Sequence, residues 1–318
     1  MKSQKLALIG ECMIELQETT SGEMRQTFGG DTLNTAIYCA RLARDLPLQV
    51  DYVTALGQDS FSERMVRFWE REGVGSELVQ RQEGTLPGLF YIELDDRGER
   101  IFHYWRSAAA VKKCFEYEGS GKILERLADY DGIYISGISL AVFTPESLAV
   151  LLVRLNELAS RGVAIYFDCN YRHHLWASTE QAIEAYEQLY RISDIVFLTT
   201  EEADILLGGL QGDKVHEKLQ SLGARESVLK DGEKPCTILS ENRIFEVEAQ
   251  KVVKVIDTTA AGDSFSAVYL VARRFGCSPL DAAKMAHKAA AYVICHKGSI
   301  APMDRMVVTG LDISACAE

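Results

Sequence analysis

The feature that most constrains the fold of this chain is an alternation. Short apolar runs at residues 5–9, 50–56, 132–135, 163–167, 194–198 and 227–229 are separated by segments whose apolar residues recur at helical spacing. A run this short and this uniformly apolar reads as a strand buried on both faces, which belongs in a parallel sheet covered by helices on either side. Leu33, Ala36, Ile37 and Ala40 form the apolar stripe that such a crossover helix requires. The expected architecture is a three-layer α/β/α sandwich around a mostly parallel central sheet.

Two stretches, 13–28 and 88–106, break this rhythm. Phe90, Ile92 and Leu94, then Ile101 and Tyr104, predict β-hairpin pieces around Asp95-Asp96-Arg97-Gly98. Together they predict a small β-sheet built from about 13–30 and 86–107, inserted beside the first core elements as a lid. No linker isolates it, so residues 1–318 are read as one domain. A chain of 318 residues that is 47% hydrophobic has enough apolar material for one large core.

Charge and segment lengths narrow the function. A formal net charge of -12 argues against a broad surface for nucleic-acid phosphates. Neither a signal-peptide pattern nor a run of roughly 20 apolar residues is present, which predicts a cytoplasmic protein without membrane contact. The eight cysteines show no CxxC spacing and are expected to be reduced, buried thiols. His173 and His174 belong to no metal-ligand pattern, so a zinc hydrolase has no footing.

The segment Asp257-Thr-Thr-Ala-Ala-Gly-Asp-Ser-Phe265 leads into an apolar helical pattern. Small residues at 260 to 262 permit a tight turn whose amides point outward at a helix N-terminus, a site suited to phosphate charge. Asp263 on the rim of that turn can accept the proton of an attacking hydroxyl. On the residues alone it can equally be a first-turn acid of the helix. Upstream, Phe28-Gly29-Gly30-Asp31-Thr32-Leu33-Asn34 sets two glycines against a helix start. There the Asn34 amide can both donate to and accept from a sugar hydroxyl, or the segment is simply a capped loop.

These two motifs resemble the signatures of the PfkB (ribokinase-like) carbohydrate kinases, and the likeness spans essentially the whole chain. GECMIEL at 10–16, GGDTLN at 29–34, YVTALG at 52–57, LPG at 86–88, YWR at 104–106, SGISLA at 136–141, NYR at 170–172 and LWAS at 175–178 are similar to the 2-keto-3-deoxygluconate kinases of that family. The resemblance implies a ribokinase-like fold and ATP-dependent phosphorylation of a keto-deoxy sugar acid, in hexuronate or pectin-type catabolism. It implies that Asp263 is the catalytic base, with the amides of Ala261, Gly262 and Asp263 as anion hole and Ala260 replacing a family glycine. Gly30, Asp31, Asn34, Tyr91, Tyr104, Arg106 and Arg172 are the implied substrate residues, the arginines meeting the substrate carboxylate.

For the nucleotide, the resemblance implies contacts from Asn170, Arg172, Lys230, Gly232, Ala260, Ala261 and Gly262. Lys230-Asp231-Gly232 matches the first half of the family's KxGxxG loop, whereas Pro235 stands where its last glycine is expected. Mg2+ is implied with ATP, with Glu202 acting through water as the remnant of an NxxE element that has Thr199 in place of Asn. Exposed lid edges suggest a homodimer. A kinase for a neutral sugar such as fructose or ribose, and a sugar-binding sensor without catalysis, are the alternatives.

Overall fold

A computed structural model of the chain describes residues 3–18, 22–94 and 100–302. Its strands are β1 (Gln4–Ile9), β2 (Met13–Glu18), β3 (Met24–Gly29), β4 (Leu48–Leu56), β5 (Gly75–Arg81), β6 (Gly88–Leu94), β7 (Arg100–Trp105), β8 (Gly132–Ser136), β9 (Ala164–Asp168), β10 (Ile195–Thr199), β11 (Glu226–Lys230), β12 (Cys236–Ser240) and β13 (Arg243–Val247). Among the described residues the larger sheet runs β13-β12-β11-β10-β9-β8-β1-β4-β5. It is parallel from β11 to β5, and β12 and β13 extend it antiparallel at one edge.

The two-residue period of each strand sorts the core into two layers. Leu6, Leu8, Tyr52, Tyr134, Phe197 and Val228 point to one face, where the helices Asp31–Leu42, Ala261–Arg274 and Pro279–Val293 pack. Ala7, Ile9, Val53, Ile133, Phe167 and Val196 point to the other, beneath the helices Pro145–Ser160, Thr179–Tyr190 and Asp213–Leu222. The expected sandwich is therefore present, and each apolar run of the sequence falls on one of its parallel strands.

Three strands of the large sheet lie outside those runs. β5 and β13 are interspersed with polar residues, and β12 is a buried strand whose apolar stretch is only Ile238-Leu239 between Thr237 and Ser240, so none shows the continuous apolar signature. The β12–β13 turn has Glu241 and Asn242 at φ 50 and 59, the paired left-handed geometry of a tight hairpin.

The smaller sheet has the order β3-β2-β6-β7. Two antiparallel pairs, β2 with β3 and β6 with β7, are joined by parallel pairing of β2 with β6. The turn expected at 95–98 lies outside the described residues. Cys12, Cys39, Cys114, Cys169 and Cys236 are buried free thiols and Cys295 is free and half-buried, as expected. Cys277 departs from that expectation, being disulfide-bonded. No helix among the described residues is long and apolar enough to cross a membrane.

Candidate active site

Parallel strands all end at one edge of a sheet, and ligand crevices of such folds open there. Ser136, Asp168, Thr199 and Lys230 are the last residues of β8, β9, β10 and β11. The helices Asp31–Leu42 and Ala261–Arg274 begin at the same edge. A cavity of about 960 Å³ opens above it, walled on the far side by Phe90, Ile92, Phe102, Tyr104 and Arg106 of the small sheet and its end.

The N-terminal motif is built by close approach. A Cβ on Gly30 would lie 2.1 Å from the Glu11 carbonyl oxygen, so only glycine lets the helix start so near the 10–12 segment. Asp31 Oδ2 then accepts from Asn170 Nδ2 at 2.8 Å and from the Ser136 hydroxyl. Asn34, one turn into the helix, donates through Nδ2 to Asp263 Oδ2 at 2.8 Å. Its Oδ1 is buried without a protein partner, which leaves an acceptor available in the cavity wall.

The C-terminal motif meets it head-on. Asp257 pins the loop, accepting from Thr259 N at 3.0 Å and Gly298 N at 2.7 Å. Ala260 caps the helix in the left-handed region, φ 60 and ψ 16, an uncommon conformation for a residue with a Cβ. The expectation of three free amides needs correction, because Ala261 N donates to the Thr258 carbonyl at 3.2 Å and closes the turn. The amides of Gly262 and Asp263, in the first helical turn, are the orphan donors that face the cavity. Burial, reinforced by the charges of Asp31 and Asp168, pushes the Asp263 carboxyl up to about 8 against the opposing effects of Asn34 and Lys230.

Lys230 lines the same cavity, with Nζ 3.2 Å from Asp168 Oδ2 and 3.4 Å from Ser266 Oγ. Ser266 Oγ also donates to Asp168 Oδ2 at 2.7 Å. Burial alone would lower the Lys230 ammonium, but Asp168 and Glu202 outweigh it and hold the group above its ordinary value. Glu202 is buried at the third position of its helix, accepting from Thr199 N at 2.8 Å and Tyr171 N at 2.7 Å. It forms a capping box with Thr199, and burial raises its carboxyl. Among the described residues no group of three or more His, Cys, Asp or Glu is arranged to hold a metal.

Arg106 and Arg172 both line the cavity, in different electrostatic states. Arg106 Nη2 pairs with Glu11, and its guanidinium sits 5.9 Å from the Tyr104 ring centroid. Arg172 donates to its neighbour's carbonyl, Tyr171 O, at 2.9 Å and has no acidic partner among the described residues.

Two expected residues fall elsewhere. Tyr91 points to the opposite face of the small sheet, stacking on His103 and donating to Glu18 Oε2 at 3.2 Å. Strand alternation explains this, since Phe90 and Ile92 occupy the cavity face on either side of it. Gly232 lies exposed at φ 57 between β11 and β12, outside the residues lining this cavity. Conversely, Glu11, Ser136, Asp168 and Ser266 were not anticipated. Ser136 and Asp168 are polar ends of apolar strands, a signal the sequence carried.

Residues 3–306 match the model of the pfkB family carbohydrate kinases, and the chain belongs to that family. It is 47% identical over 307 residues to the 2-dehydro-3-deoxygluconokinase of Escherichia coli (strain K12), covering 96% of this chain and 99% of that protein. The crystal structure of the 2-dehydro-3-deoxygluconokinase from Thermotoga maritima superposes with a TM-score of 0.84 at 19% identity, over 98% of this chain and 99% of that one. A candidate ribokinase II from E. coli, solved with ATP and Mg2+, gives a TM-score of 0.82 at 20% identity, over 96% of this chain and 98% of that one. The fold is ribokinase-like.

Proposed function

We propose that this chain catalyses ATP-dependent phosphorylation of 2-keto-3-deoxy-D-gluconate at its terminal hydroxyl, giving 2-keto-3-deoxy-6-phosphogluconate. The observation that carries the chemistry is the meeting of two helix N-termini, where Asn34 holds Asp263 beside the free amides of Gly262 and Asp263. The observation that supports the substrate is the near full-length similarity to the E. coli enzyme, beside a cavity lined by Arg106 and Arg172, two cations suited to a carboxylate.

In the reaction, the O6 hydroxyl attacks the γ-phosphorus of ATP, the bond to the β-phosphate oxygen breaks, and ADP leaves. Asp263 takes the hydroxyl proton, and the Gly262 and Asp263 amides with Lys230 stabilise charge on the transferring group. Gly30, Asp31 and Asn34 orient the sugar hydroxyls. Tyr104 and the two arginines hold its acid end. Mg2+ would come with the nucleotide and would neutralise phosphate charge, and Glu202, which lines the cavity, would act on it through water. Asn170, Arg172 and Lys230 face the phosphates.

The small sheet acts as a lid that excludes water from the transfer. Its edge strands β3 and β7 are open to pairing, and Trp105 is 61% exposed. A homodimer through this sheet is our reading, and sedimentation at micromolar concentration checks it. We place the enzyme in the cytoplasm.

The test of the function is ADP release with Mg-ATP and a panel of 2-keto-3-deoxygluconate, its galactonate-derived epimer, gluconate, fructose and ribose. Strong preference for the keto-deoxy acid is expected. Preference for fructose or ribose would leave a sugar kinase standing and overturn the role of the arginines.

A further inference from the structure

The Glu11–Arg106 pair is unusual in where it sits and in what it leaves unmade. Glu11 lies in the connection between β1 and β2, and Arg106 directly follows β7, so the contact ties the core sheet to the end of the small sheet. The side chains are 2% and 14% exposed, respectively. Glu11 Oε1 and Arg106 Nε are both buried with no hydrogen-bond partner. Gly88 makes room for the carboxylate, because a Cβ there would lie 2.6 Å from Glu11 Oε1. Arg106 lines the cavity and Glu11 stands behind it.

We propose that Glu11 is a positioning and specificity residue: a built-in carboxylate that holds Arg106 at the cavity wall and compensates its charge until the substrate's own carboxylate arrives. This rests on the reading of Arg106 as a ligand of the sugar acid. A buried cation without a counterion is costly, so Glu11 stabilises the empty protein. The same compensation weakens the field that an anionic substrate feels. Glu11 therefore trades affinity for an ordered guanidinium.

The prediction is opposite in sign to that of a merely structural residue. Glu11→Gln keeps the shape and an acceptor while removing the charge. The empty variant should melt several degrees lower, because Arg106 is left uncompensated. Its Kd for 2-keto-3-deoxygluconate should fall three- to tenfold, because ligand binding now supplies the missing charge. The Kd for the neutral methyl ester of that acid should stay within twofold. In an Arg106→Met background, Glu11→Gln should no longer change the Kd for the acid differently from that for the ester.

Titration calorimetry with both ligands, alongside thermal melts, reads all of this. If the acid binds more weakly or unchanged, or if acid and ester move together, Glu11 is only a scaffold residue and the proposal is wrong. If Arg106→Met by itself leaves acid binding intact, the reading of Arg106 fails instead. Should Glu11→Gln not fold, Glu11→Asp keeps the charge but withdraws it from Arg106. It should then shift the acid's Kd in the same direction by a smaller factor, and an unchanged or raised value would overturn the proposal.

Discussion

The two walls of the cavity are made differently. On the core side, Asp31, Asn34, Asp168, Lys230 and Asp263 stand on strand ends and helix starts, each fixed by a direct side-chain hydrogen bond: Asn34 to Asp263, Lys230 to Asp168, and Asn170 to Asp31. On the small-sheet side, Phe90, Phe102 and Tyr104 offer rings, with Phe102 42% and Tyr104 43% exposed, and Glu15 and Arg106 add charge of opposite sign. Rigid elements hold atoms in place and suit chemistry, whereas a partly exposed sheet face suits recognition and closure. On the proposed function, the difference leads us to expect turnover and selectivity to be carried by separable parts of the molecule.

The harshest test of that division is Asp263→Ala. Removing a general base should lower kcat by ~100-fold or more while the Kd for the sugar acid changes little. Steady-state kinetics with a binding measurement read both, and near-normal turnover would sink the assignment. Arg106→Met attacks the other wall. Losing a charged hydrogen bond of ~1.5–3 kcal/mol should raise KM for the sugar acid by roughly 10- to 100-fold. Its kcat should remain within a few-fold. If kcat falls as far as KM rises, the walls do not divide the work as described.

The same division explains how much the sequence disclosed. The core wall was legible because parallel strands bury both faces, and the helix starts beyond them carry small residues and short polar side chains at fixed spacing. Asp263 and Asn34 could be named on that basis, and the resemblance made the choice sharp. The small-sheet wall was legible in the residues only as alternation, which leaves the phase open, and Tyr91, which the resemblance implies at the substrate, lies on the far face. Glu11 was hidden because its partner is 95 residues away, and no local pattern announces a contact between two loops. The role of the Ala261 amide was missed because the turn consumes it through Thr258, a matter of backbone geometry rather than of residue type.

Electrostatics sharpen the comparison through pH. The Asp263 carboxyl is raised from 3.8 to about 8 in the folded protein, chiefly by burial. A general base at Asp263, as we propose, would work as the carboxylate, so kcat/KM should rise with pH up to about 8 and level off above it. For stability the sign is reversed. Between the unfolded value of 3.8 and the folded value of about 8, the unfolded chain releases a proton that the folded one retains, so the wild type loses stability as pH rises through that window. Asp263→Asn cannot ionise, and its melting temperature should exceed that of the wild type by a margin that widens from pH 4 to pH 8. A constant margin would show that Asp263 is not held in a desolvated site.

The smallest expected effect probes the backbone of the rigid wall. Ala260 holds φ 60 and ψ 16 at the cap of the helix Ala261–Arg274, and a Cβ in that conformation costs roughly 1–2 kcal/mol. Glycine removes the strain but gives the unfolded chain more freedom, an opposing term of about 0.4–1 kcal/mol. Ala260→Gly should therefore stabilise the protein by about 0.5–1 kcal/mol net, measured by denaturant unfolding. Because the turn is closed by Ala261 N to Thr258 O and anchored through Asp257, the Gly262 and Asp263 amides should keep their aim. The variant's kcat should stay within about twofold of the wild type, about 0.4 kcal/mol in barrier. A larger loss would mean that the alanine methyl, rather than the hydrogen bonds around it, fixes the direction of the anion-binding amides.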